Sequence, residues 1–140
     1  MSGLFGAIGI SASGMTAERL RMDVTSENLA NADSTRGADG QPYRRQEVVL
    51  QQGGQSFSDA LGQAQAGVEV AGIVSDPSPG RKVYDPGHPD ADAQGYVTMP
   101  NVDTVTEMTD LITESRSYEA NTQAMQTAKQ LYLKTLDLLR

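Results

Sequence analysis

Residues 103–140 contain neither Gly nor Pro, and Leu111, Tyr118, Met125, Tyr132 and Leu139 recur through them at every seventh position. An unbroken run of that length with a period of seven is a helix carrying one narrow apolar seam. Its start is marked by Pro100 and Asn101, which end the preceding segment, and by Thr104-Val105-Thr106-Glu107, which fits a capping box. Asp103, Glu107 and Asp110 near its beginning, and Lys129, Lys134 and Arg140 toward its end, suit the helix dipole. Residues 4–32 repeat the pattern at the other end of the chain. They lack Pro, confine Gly to their first half, and carry Ile8, Met15, Met22 and Leu29 at a spacing of seven.

Lengths decide what such helices can do. At 1.5 Å per residue they would be about 57 Å and about 43 Å long. A compact globule of 140 residues is only roughly 37 Å across. The helices must therefore project from whatever lies between them, most simply as an antiparallel pair. Their flanks carry Leu4, Phe5, Leu20, Val24, Val105, Ile112, Leu131, Leu133 and Leu138, which one seam cannot cover. A second line of positions on the C-terminal helix, Met108, Ser115, Thr122, Lys129 and Leu136, is mixed in character. A self-sufficient two-stranded coil would be weak, and a larger assembly of the same helices would complete it. From pattern alone, a helical hairpin in a monomer or dimer fits equally well.

The stretch between, 33–100, holds all six Pro and most of the Gly. Short β-like runs at 43–50, 68–74, 83–84 and 96–99 are separated by turn-rich segments, with a Gln/Gly/Ser/Ala-rich loop over 51–67. The expectation is an α+β chain in three parts. An N-terminal helix over 1–32 and a C-terminal helix over 101–140 pair as a coiled-coil-like arm, and a small β-rich domain over 33–100 joins them.

Composition closes off several function classes. A net charge of −7 with dispersed acids argues against a nucleic-acid partner. The absence of Cys removes disulfides, thiolate metal sites and a cysteine nucleophile. The N-terminal residues carry no basic residue before Arg19 and no long apolar run, so no cleaved signal peptide and no lipid anchor are expected. Asp85, His88, Asp90 and Asp92 crowd potential metal ligands into eight residues, but Pro86, Gly87 and Pro89 among them read as a turn. No metal, cofactor or catalytic residue is expected, because no nucleophile elbow or phosphate loop is present. Arg44-Arg45 reads as a solvated or interface pair.

Asn28, Asn31 and Asn121 lie in or beside the helices, where Asn is a poor choice. They either mark helix ends or bond across helices.

Motifs at both ends narrow the possibilities. Ser11-Ala12-Ser13-Gly14-Met15 followed by Asn28-Leu29-Ala30-Asn31-Ala32, together with Ser115-Arg116-Ser117-Tyr118-Glu119-Ala120-Asn121, resembles the flagellar axial proteins of the rod and hook family. The runs Gly40–Arg45, Tyr84–Asp92 and Gly95–Val102, and the short length, are similar to the proximal-rod type. The resemblance implies a structural subunit, exported unfolded by the flagellar type III apparatus and assembled in the periplasmic part of the basal body. It implies copies of itself, other rod proteins and the membrane-ring adaptor as partners. It favours interface bonding for Asn28, Asn31, Asn121 and Tyr118, which join Ile8, Met15, Met22, Leu29, Leu111, Met125, Tyr132 and Leu139 as the expected assembly residues. A soluble helical adaptor or export chaperone is the competing reading.

Overall fold

The computed structural model describes residues 2–37, 39–53 and 67–138, and of the side chains 6–37, 39–53 and 67–137. Two long helices pack against each other and enclose, in sequence, two short β ribbons: α1 (Ser2–Ala30), β1 (Gln46–Gln52), β2 (Val68–Ser75), β3 (Lys82–Tyr84), β4 (Tyr96–Thr98) and α2 (Thr104–Leu138). The 35 residues of α2 make a rod about 52 Å long, and α1 is about 44 Å. Asn28 of α1 meets Glu107 of α2, and Met15 meets Thr122, so the helices run antiparallel. The chain is α+β with a helical arm.

The ends of the helices are closed by side chains. The Thr106 N–H donates to Asp103 Oδ1 at 2.9 Å. Asp103 is therefore the cap of α2, and Glu107 is not the reciprocal partner that the capping-box reading assigned to it. Bonds to the Thr106 N–H hold the Asp103 carboxyl below the usual range. At the end of α1, the Asn31 side-chain amide donates to the Glu27 carbonyl at 2.9 Å, and Asn31 Oδ1 accepts from Ser34 Oγ at 3.1 Å.

The central region forms two separate two-stranded antiparallel sheets. In the first, Gln46 pairs with Ser75 and Val48 with Ile73, with an irregularity between Val49 and Leu50. It closes at Gly53, whose N–H donates 2.8 Å to the Gly67 carbonyl. The ribbon leans on α1 and is tied to it where the Val68 N–H donates to Ser13 Oγ at 3.1 Å. The loop expected over 51–67 falls mostly on 54–66, outside the described residues. In the second ribbon Tyr84 faces Tyr96, their rings edge to face at 5.3 Å.

The apolar core is small. Ala17, Val24, Ala32, Val97 and Ala128 are its buried members among the described residues. Val24, expected on an uncovered flank, belongs to it. The larger apolar side chains of α2, namely Val105, Met108, Ile112, Leu131, Leu133 and Leu136, stand at the surface.

Candidate functional site

The helix pair is the site, and its interior is polar. On α2, Glu107 and Glu114 are buried, Asn121 is half-buried and Ala128 is buried, again at a spacing of seven. They lie three or four positions from Leu111, Tyr118, Met125 and Tyr132, which are half-buried. A helix-pair seam alternates steps of four and three, so both lines are needed to make one. The second line is Glu107, Glu114, Asn121 and Ala128, and not the line through Met108 and Leu136, both of which are exposed. On α1 the line facing α2 runs through Gly14, Ala17, Arg21, Val24 and Asn28. Ile8, Met15, Met22 and Leu29 flank it, half-buried.

Asn28 is 1% exposed and uses all its bonding capacity. Its Nδ2 donates to the Gln46 carbonyl at 2.9 Å and to Glu107 Oε2 at 3.0 Å. Its Oδ1 accepts from the Gln46 N–H and from the Tyr43 hydroxyl, each at 2.9 Å. One amide thus joins α1, the start of β1 and α2. Burial, and then the carboxylates of Glu27 and Glu107, push the Tyr43 phenol up and keep it a donor.

Glu107, also 1% exposed, receives Arg45 Nε on its other oxygen. The same guanidinium bonds Glu47 and reaches Asp110 at 3.5 Å. Arg45 is therefore an internal counter-ion, not the solvated or interface group its sequence context suggested. Its backbone is pinned too. The Arg45 N–H donates to Asn101 Oδ1 at 2.8 Å, and the Arg45 carbonyl accepts from the Asp76 N–H at 2.8 Å.

About two helical turns further along, Glu114 repeats the arrangement with different partners. Its Oε1 accepts from Thr25 Oγ1 at 3.2 Å and pairs with Arg21 Nε at 3.4 Å, while Oε2 has no partner. Burial pushes the Glu114 carboxyl up, against the opposing pull of Arg21. Beyond it, the helices close over Gly14, where an added Cβ would come within 3.0 Å of Asn121 Nδ2. Thr122 Oγ1 meets Met15 Sδ at 3.3 Å in the same layer.

The structure therefore draws Asn28 and Asn121 into the helix pair and leaves Asn31 on its own helix end. Tyr118 lies along the half-buried line of α2, and Leu139 lies outside the described residues. Sequence reasoning missed Glu107, Glu114, Arg45 and Arg21. The one signal was the spacing of seven from Glu107 through Glu114 to Asn121.

Elsewhere, the side chains of Asp85, His88 and Asp92 bond within their own loop. Asp85 Oδ1 accepts from the Gly87 N–H, His88 Nδ1 from the Asp90 N–H, and Asp92 Oδ1 from the Gln94 and Tyr96 N–H groups. Asp90 accepts from Thr35 Oγ1 at 2.8 Å. Among the described residues no helix is long and apolar enough to cross a membrane.

Comparison with known proteins agrees with the geometry of a paired N- and C-terminal helix. The family described as "Flagella basal body rod protein" matches residues 8–38, and that described as "Flagellar basal body rod FlgEFG protein C-terminal" matches residues 93–138. The flagellar basal-body rod protein FlgC of Yersinia enterocolitica is 49% identical over 135 residues, covering 96% of this chain and 97% of that protein. FlgC of Bacillus subtilis is 48% identical over 145 residues, with the same coverage. FlgC of Salmonella typhimurium is 47% identical over 135 residues, again with 96% and 97% covered. With both terminal helices matched and nearly full-length similarity, the chain belongs to the flagellar basal-body rod protein family, a family of structural rod subunits, in its FlgC branch.

Proposed function

We propose that the chain is a structural subunit of the proximal rod, which assembles through its helix pair with copies of itself and with other rod proteins. In that assembly the packed helices enclose the export channel and transmit torque. The membrane-ring adaptor and the export apparatus are its further partners, and the periplasmic part of the basal body is where it assembles.

The observation that carries this reading is the inverted distribution of side chains on α2. Glu107 and Glu114 face inward, while Val105 is 73% exposed and Met108, Ile112, Leu131, Leu133 and Leu136 stand beside solvent. Large apolar side chains exposed in this number on a long helix ask for covering partners. Ile8, Met15, Met22, Leu29, Leu111, Met125 and Tyr132, each half-buried in the isolated chain, would complete their burial in the same contacts.

The test is co-purification with intact basal bodies. The unaltered chain is expected in that fraction, and Ile112→Asp, which sets a charge beside the exposed Val105 and Met108, is expected to be exported but missing from it. Recovery of the unaltered chain only as a soluble dimer would overturn the reading.

A further inference from the structure

Between α1, β1 and α2 lies a cleft of about 420 Å³, walled by Val24, Val48 and Leu50 on one part and by Arg21, Arg45, Asp110 and Glu114 on another. The charges in and around it do not balance. Arg21 pairs with Glu18 and Glu114, and Arg45 pairs with Glu47, Glu107 and Asp110, so five carboxylates share two guanidinium groups. One of those carboxylates has an oxygen left over: Glu114, 2% exposed, has no hydrogen-bond partner at Oε2. A buried anionic oxygen without a partner is costly, and supplying a cation recovers that cost.

We propose that this cleft is the socket for a long basic side chain of a neighbouring axial subunit, whose head pairs with Asp110 and Glu114. The inference rests on the assembly reading above. Val24, Val48 and Leu50 form an apolar wall suited to the methylene stem of Lys or Arg, which buries its stem while its head seeks acids. Among the described residues no three metal-type side chains converge, so the donor set fits an organic cation better than a metal ion.

The proposal is tested by a photo-cross-linking residue at position 73 of the full chain in motile cells. Ile73 faces Val48 across the ribbon and is 47% exposed, so it tolerates the change. Irradiated basal bodies are expected to yield a cross-link to another chain, in a peptide carrying Lys or Arg within one helical turn of the attachment point. In the Asp110→Asn, Glu114→Gln double variant the yield is expected to fall several-fold. Cross-links confined to the chain itself, a partner peptide with no basic residue, or an unchanged yield in the double variant would each overturn it. Absence of the chain from basal bodies would remove both this inference and the assembly reading, whereas presence without the intermolecular cross-link removes this inference alone.

Discussion

Asn28 Nδ2 donates 3.0 Å to Glu107 Oε2 across the helix pair, and the two side chains are the most deeply buried polar groups among the described residues. An amide and a carboxylate thus occupy the place where a coiled coil would put leucines. Such a pair fixes register. It can form in one alignment of the helices only, whereas apolar side chains slide past one another at little cost.

Asn28→Leu should accordingly be among the most damaging single changes. It leaves the Gln46 N–H and carbonyl, the Tyr43 hydroxyl and Glu107 Oε2 short of a partner. Each buried group so orphaned costs about 1–3 kcal/mol. Chemical denaturation of the purified chain should register a loss of several kcal/mol, or no cooperative transition. A loss below about 1 kcal/mol would mean that water replaces the amide.

Asn31 is expected to behave differently, although it stands three residues away. Its amide returns to the Glu27 carbonyl of its own helix. Asn31→Gly should cost only a few tenths of a kcal/mol, because Gly is well tolerated just past a helix end. Stability and swimming should both be near normal. Strong loss of motility at normal expression would give Asn31 a contact with a neighbouring subunit.

These two asparagines show how far the sequence could be read. The helices, their antiparallel pairing and the positions of most strands followed from the spacing of seven, the distribution of Pro and Gly, and length. The line Leu111, Tyr118, Met125 and Tyr132 was legible because its members are apolar. Its companion line was not, because Glu107 and Glu114 look like solvated charges until Arg45 and Arg21 are brought beside them. Arg45 lies 62 positions from Glu107. No local pattern connects residues at that separation, and the same is true of Asn28, whose two possible roles differ only in what surrounds it.

Stability should depend on pH in two opposite senses. Burial pushes the folded-state Glu114 carboxyl above its ordinary value of 4.5, with Arg21 and Thr25 opposing and Glu18 and Asp110 assisting. A raised carboxyl binds its proton more tightly in the folded chain. Its contribution is fully present below pH 4.5 and is lost as pH rises through the folded value. Asp76 and Asp103 are lowered from 3.8, chiefly by bonds to Ser78 and Thr106, so their contribution is lost as pH falls through their folded values. Melting temperature should rise as pH falls toward 4.5 and decline below 3.8. Glu114→Gln should flatten the upper limb and leave the lower one, and an unaltered upper limb in that variant would assign it to another group.

The last prediction concerns how closely the helices approach. At Gly14 an added Cβ would lie 3.0 Å from Asn121 Nδ2 and 3.3 Å from Cγ and Oδ1 of the same amide. Gly14→Ala therefore carries two opposed effects. A helix interior gains up to about 1 kcal/mol when Gly becomes Ala, and the crowded amide must turn aside at a cost of similar size. The single change should be close to neutral, within about 1 kcal/mol. If Asn121 is first shortened by Asn121→Ala, the crowding disappears and only the gain in helix propensity remains. Gly14→Ala should then stabilise the Asn121→Ala background by about 1 kcal/mol. The double-mutant cycle reads this difference as a coupling between the two positions. Strict additivity of the two substitutions would place Asn121 away from Gly14 and would undo this contact between α1 and α2.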